Sequence, residues 1–239
     1  GVVSTWFAPW DLLVTWWGVQ EALTDLTERP ALVHRAMDRL TSALISQLEQ
    51  RERLGLLSLN NGNCRVGSGG LGYTELLPQK DFDGARVRSM DLWGSATAQI
   101  FSEVSPAMHE EFALKHELRW LERFGLNCYG CCEPLHRKVE MLKKVPRLRR
   151  ISMSPRVDID VAAAAVGDRY IYSHKPNPAI LASDVWNPEA ARRELRDALD
   201  RTRGCVVEVI LKDISTVRHD PKRLSDWAAV ASEVTEAYA

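Results

Sequence analysis

The chain has little of what marks a nucleic-acid binder, a membrane protein or a disulfide-stapled domain. Its 31 Lys and Arg nearly cancel 32 Asp and Glu, leaving a formal charge of −1. A general nucleic-acid binder needs a strong basic excess, so no nucleic-acid partner is expected. No stretch approaches the roughly 18 consecutive apolar residues of a membrane span, so no membrane partner is expected either. The aromatic opening from Trp6 to Trp17 is broken by Pro9 and Asp11. It has neither the basic flank nor the small-residue cleavage pattern of a signal peptide. Cysteines are few and odd in number: Cys64, Cys128, Cys131, Cys132 and Cys205 in 239 residues. A chain of this size needs no disulfides, so reduced thiols and a cytoplasmic location are expected. G-x-S-x-G and H-E-x-x-H are absent, and no G-x-G-x-x-G follows the first strand. No obvious serine nucleophile, zincin helix or dinucleotide fingerprint is therefore present.

What is present alternates. Capping residues stand before proline at Ser105-Pro106, Asn187-Pro188 and Asp220-Pro221, each a helix start. Gly125 and Gly204 suit left-handed C-terminal caps for two of these helices. Apolar residues at helical spacing predict a long helix over Pro30–Arg53, and shorter helices are expected near Pro134 and Asp158. Between them lie apolar runs that end in polar residues: Leu54–Asn60, Leu126–Cys132, Leu148–Ser154, Arg169–Lys175 and Val206–Asp213, with a sixth over Val2–Phe7. Strands separated by single helices imply βαβ units and a parallel sheet, either doubly wound or barrel-like. Residues 61–99 hold no convincing element and carry the glycine-rich Gly67–Gly72, which reads as a lid or irregular loop. The glycines are not followed by the Lys-Ser/Thr of a P-loop.

In parallel α/β folds, sites form at the C-terminal ends of the strands. Those ends gather Asn60, Cys131, Cys132, Glu133, Ser152, Ser154, His174, Lys175, Asn177, Lys212 and Asp213. Cys132, Glu133, Lys212 and Asp213 are the candidate catalytic groups. Asn60, Ser152, Ser154, His174, Lys175 and Asn177 are candidates for substrate binding. Thiolate, carboxylate and imidazole are all zinc ligands, so Cys131, Cys132, Glu133 and His136 form a candidate metal set. Cys128 and Cys132 would share a face of one strand, and Cys128 can equally be a small buried hydrophobe. Lys175 and Lys212 would suit an anionic substrate such as a carboxylate, or would pair with Glu133, Asp213 or Glu208.

Several segments, in order, resemble the uroporphyrinogen decarboxylase superfamily, which includes cobalamin-dependent methyltransferases. Thr5-Trp6-Phe7-Ala8-Pro9 is similar to an early barrel segment. Asp25–Val33 resembles a turn that precedes a long helix. Leu121–Val139 and Ile151–Asp158 resemble the strand of the central motif and the strand after it. Ser173-His174-Lys175-Pro176-Asn177-Pro178 resembles a family turn, and Tyr129–His136 (YGCCEPLH) looks characteristic of an uncharacterised branch.

The resemblance implies a (β/α)8 barrel and an enzyme. Its leading reaction here is corrinoid-linked methyl transfer to or from a small anionic substrate, with a corrinoid presented by a partner protein and zinc as a further cofactor. In that branch zinc is held by a His-x-Cys and a later Cys. Here Gly130 stands at the histidine position, Cys132 is retained, and Leu211-Lys212-Asp213 has no thiol. Decarboxylation of a tetrapyrrole or other carboxylate is the metal-free alternative, and a non-catalytic ligand-binding domain is the third. Residues 1–239 read as one domain of about six strands. An incomplete barrel from the C-terminal part of a longer protein is expected, one that could cover its open strand edges by forming a homodimer.

Overall fold

The computed structural model describes residues 4–238. Val2 and Val3 of the expected first strand lie outside them. In chain order come strand β1 (Trp6–Phe7), helices α1 (Pro9–Trp17), α2 (Val19–Glu28) and α3 (Pro30–Arg53), and a small antiparallel hairpin of β2 (Arg65–Val66) and β3 (Gly70–Leu71). Strand β4 (Trp93–Ala96) follows. Helix α4 (Pro106–His109) then runs through a π-helical turn, Glu110–Leu114, into α5 (Lys115–Leu121). The remainder is β5 (Leu126–Tyr129), α6 (Val139–Leu142), β6 (Leu148–Met153), α7 (Ile159–Val166), β7 (Ile171–His174), α8 (Ala179–Ala182), α9 (Pro188–Arg201), β8 (Val206–Val209) and α10 (Lys222–Glu236). No helix of the described residues is long and apolar enough to cross a membrane.

Six strands form one sheet in the order β1-β4-β5-β6-β7-β8, every neighbouring pair parallel. The order is sequential, without the reversal that defines a doubly wound sheet. That is the strand order of a partial TIM-like barrel, and the sheet is open: β1 and β8 are not paired to each other.

Strand alternation divides the side chains between two faces. Phe7, Ala96, Tyr129, Ile151, Met153 and Tyr172 face the helices, where they pack with Leu114, Trp120, Leu121, Phe124, Leu142 and Val166. Phe7 stacks on Trp120 at 4.9 Å between ring centroids. Each of the large apolar side chains among them contributes ~1.5–3 kcal/mol by leaving water. The opposite face carries Ser95, Cys128, Arg150, Ser152, Ser173 and Glu208, and the hairpin lies flat upon it. Gly67 (φ +58°) sits so close that a Cβ there would lie 3.0 Å from the Cβ of Cys128. Val66 of the hairpin packs with Trp93, Leu126 and Cys128. Arg150 donates from Nη2 to the Leu71 carbonyl at 2.9 Å.

The α/β class, the parallel strands and their number agree with expectation, but two segments exchange places. Leu54–Asn60 is not a strand: Leu54 caps α3, Gly55 turns the chain, and the rest joins no ladder. Strand β4 instead lies within 61–99, which was expected to hold none. After Trp93 its residues are small, and at Gly94 smallness is required: a Cβ there would lie 2.4 Å from the Phe124 ring. Ser105, Asn187 and Asp158 cap their helices as expected, each accepting backbone N–H bonds. Gly204 is left-handed at φ +87°. Gly125 is not. It is small because a Cβ there would lie 2.2 Å from the Met90 carbonyl. The helix expected at Pro134 begins only at Val139.

Candidate functional site

The parallel strands end on one rim, and the loops after β5, β6, β7 and β8 enclose a cleft of about 350 Å³. Cys131, Cys132, Ser154, Arg156, Lys175, Asn177, Lys212 and Asp213 line it. Strand β5 stops at Tyr129, and Gly130 (φ +92°) turns the chain out of the sheet. This turn ends the strand-like alternation. Cys131 and Cys132, which would face opposite ways on a strand, come together with their sulfurs 3.5 Å apart.

Lys212 enters from the end of β8 and places its ammonium among these groups. Nζ donates to Cys131 Sγ at 3.1 Å, to Cys132 Sγ at 3.5 Å and to Ser68 Oγ at 2.9 Å. It also pairs with Asp213 Oδ2 at 3.1 Å. Burial pulls the Lys212 pKa down, but the Cys131 sulfur and the Asp213 carboxylate raise it further, so the side chain stays an ammonium. Burial, followed by the charge of Cys131, pushes the Cys132 thiol up to about 12. Asp213 holds its place with φ +58°, a left-handed conformation that Asp tolerates better than most residues. Lys175 is buried and donates to Ser173 Oγ. Burial brings its pKa down to about 8.

Glu133 is fully buried and turns away from the cleft. Thr97 Oγ1 donates to it at 2.7 Å and the Cys131 N–H at 2.9 Å. Burial raises its pKa against the pull of those donors. It therefore anchors the thiol loop from behind. Behind it lies a buried polar chain. Lys138 Nζ donates to His109 Nδ1 at 3.1 Å, which assigns the ring proton to Nε2. His109 Nε2 and the Tyr129 hydroxyl are 2.7 Å apart, and that hydroxyl donates to Glu117 Oε2 at 2.6 Å. Burial holds His109 down at about 3 and raises Glu117 to about 8.

No known protein-family model matches the chain. No curated protein matches it significantly. The residues themselves carry the rest.

Of the expected catalytic set, Cys132, Lys212 and Asp213 meet at one point and Glu133 does not join them. Of the expected binding set, Ser154, Lys175 and Asn177 line the cleft. Ser152 instead supports the thiol loop, donating to the Cys131 carbonyl at 2.9 Å. Asn60 is spent on β4, donating to the Trp93 carbonyl at 3.0 Å and accepting the Trp93 N–H at 2.9 Å. His174 is buried with neither ring nitrogen partnered, and burial lowers it to about 4. His136 lines a separate cleft with Arg137 and Lys138.

The four residues of the metal set do not fit a zinc ion. Glu133 and His136 point elsewhere, and the Lys212 ammonium fills the space between the two sulfurs and Asp213. Among the described residues, no group of three or more His, Cys, Asp and Glu is gathered as a metal site would require. Two polar residues bonded to the cleft's groups went unread in the sequence. Ser68 reaches the cleft only because the hairpin folds over the sheet. Arg156, which donates to the Cys132 carbonyl at 2.9 Å, follows the β6 end by two residues beyond Ser154. Its position after an apolar run was the available signal.

Proposed function

We propose that this cleft binds a small carboxylate and that the chain is part of a barrel enzyme resembling the uroporphyrinogen decarboxylase superfamily. One observation carries the reading: Arg156, Lys175 and Lys212 line the cleft against the single carboxylate of Asp213. Cations held in a partly desolvated pocket favour an anion far more than they would in water.

Decarboxylation is the reaction that such a pocket serves best. Loss of CO2 leaves an electron pair on carbon, and the Lys212 ammonium can supply the proton that quenches it. No metal is needed, in keeping with the poor fit of the donor set to zinc. Methyl transfer is the second reading, favoured by the Cys132 thiol at the cleft mouth. That sulfur is a methyl acceptor for a corrinoid carried by a partner protein.

Calorimetric titration with small mono- and dicarboxylates tests the binding. Lys212→Met and Lys175→Met should each weaken it about tenfold or more, which corresponds to ~1.4 kcal/mol. Failure of every carboxylate to bind, or binding indifferent to both substitutions, would overturn the reading. Release of CO2 from a bound carboxylate supports decarboxylation. Demethylation of methylcobalamin with methyl gain at Cys132 supports the second reading.

A further inference from the structure

We propose that Cys131 and Cys132 are a redox-sensitive dithiol that closes to a vicinal disulfide when a hydroperoxide enters the cleft. The inference does not depend on which substrate the cleft takes.

Four observations support it. The two sulfurs lie 3.5 Å apart. A disulfide at about 2.0 Å requires them to approach by roughly 1.5 Å. Both residues line the cleft, so a small oxidant reaches them. Cys128 differs: it is sealed among Val66, Trp93 and Leu126 and has no cysteine partner. Cys131 to Pro134 belong to no helix or strand, so closing the ring breaks no pairing between strands; the bonds it must shift are those of Glu133 and Ser152 to Cys131 and of Arg156 to Cys132. Finally, the pair is flanked by opposite charges. Lys212 Nζ donates to Cys131 Sγ at 3.1 Å and so fixes the sulfur that meets the oxidant. Cys132 Sγ donates to Asp213 Oδ2 at 3.5 Å, so a base stands ready for the second proton.

The chemistry balances. The Cys131 thiolate attacks one peroxide oxygen. The S–O bond forms, the O–O bond breaks, and the departing oxygen leaves as water with the proton that Cys131 gave up. Cys131 is then a sulfenic acid. The Cys132 sulfur, its proton passing through Asp213, attacks Cys131. The S–S bond forms, the S–O bond breaks, and hydroxide leaves with that proton as water. Two thiols and one hydrogen peroxide yield one disulfide and two waters. Sulfur is oxidised and peroxide is reduced.

Mass spectrometry of the full chain tests this without any turnover assay, so the outcome is separable from that of the carboxylate reading. Protein treated with hydrogen peroxide should lose the mass of two hydrogens within the peptide Phe124–Arg137, and dithiothreitol should restore it. Cys131→Ser and Cys132→Ser should each abolish the loss, and Cys128→Ser should keep it. Phenylarsine oxide, which condenses with two neighbouring thiols and releases water, should label the reduced chain once and the oxidised chain not at all. The label needs no variant, so it stands even if a serine substitution impairs folding. Stable oxygen addition to Cys132 without the cross-link, a loss that survives Cys132→Ser, or absence of the arsenical label from reduced protein would overturn the proposal.

Discussion

Arg150 on β6 reaches over β7 to Glu208 on β8, with Nε 2.7 Å from Oε1. The contact is a close ion pair whose alignment is too poor for a hydrogen bond. It crosses the small Ser173 of the intervening strand, and the hairpin covers it. Arg150 is further held by the Leu71 carbonyl and lies over the Trp93 ring at 5.1 Å.

Removing the acidic partner leaves a buried guanidinium without its counter-charge. Glu208→Ala is expected to cost ~2–4 kcal/mol, toward the lower end of the cost of breaking a buried pair, because Arg150 keeps its other contacts. Urea unfolding measures it. A cost within ±0.5 kcal/mol, the range of an ordinary surface substitution, would show that the pair adds nothing.

Asn60 is expected to behave as a structural residue. Asn60→Ala strips both bonds from the Trp93 peptide group and should lower stability by ~2–4 kcal/mol. Carboxylate affinity, measured by calorimetry on the folded fraction, should stay within twofold of the parent. A tenfold loss of affinity without loss of stability would return Asn60 to the binding set.

Stability should depend on pH through Glu117 in a definite direction. Its folded pKa, about 8, lies above the usual 4.5. The folded state therefore binds the extra proton between those values, and stability falls as pH rises through that window, by up to about 1.4 kcal/mol per pH unit. The Glu117→Gln variant should lose this slope in thermal unfolding followed from pH 5 to pH 8. An unchanged slope would move the titration to Glu133, Asp11 or another buried acid.

His174 has the opposite sign. Burial lowers it to about 4 from the usual 6.5, so its contribution is lost as pH falls through that interval. With both ring nitrogens unpartnered, His174→Leu removes two orphan polar atoms and should leave stability equal or higher at pH 7. The gain should widen toward pH 5. Clear destabilisation by the leucine would mean that the imidazole has a partner in solution.

Gly67 tests the hairpin. A methyl group there meets Cys128 at 3.0 Å on a left-handed backbone, so Gly67→Ala should cost ~1–2 kcal/mol from conformation alone. Lifting the hairpin also withdraws Ser68 from Lys212, so carboxylate affinity should change as well. An alanine that alters neither would show that the hairpin does not rest on the sheet.

Much of the frame could be read from the chain, because the strands after residue 125 are apolar, bounded by turns and of ordinary length. Strand β4 escaped notice because WGSA has little of the apolar signature. Its small residues answer to Phe124 and to the Thr5 carbonyl, contacts made with distant segments. Leu54–Asn60 misled for the reverse reason: it has an apolar pattern, but at its end the Asn60 carboxamide substitutes for a neighbouring strand along β4. The rim residues were legible from the strand-end rule. Which of them converge was not, since that depends on the turn at Gly130. On a strand, Cys128 and Cys132 would have been the pair. After the turn, Cys131 and Cys132 are.

The sequential order of the sheet has a consequence for how this cleft could change. Each βα unit adds its strand beside the last, so the loops after β5, β6, β7 and β8 meet the cleft in chain order. The wall built by Ser154 and Arg156 belongs to one contiguous stretch of gene, and the wall built by Lys212 and Asp213 to another. Exchanging residues 154–170 for the corresponding stretch of another barrel would re-line one side of the cleft and leave Lys212 and Asp213 untouched, removing from the thiol loop only the Arg156 bond to the Cys132 carbonyl. Only Ser68, arriving from the hairpin, escapes that modularity.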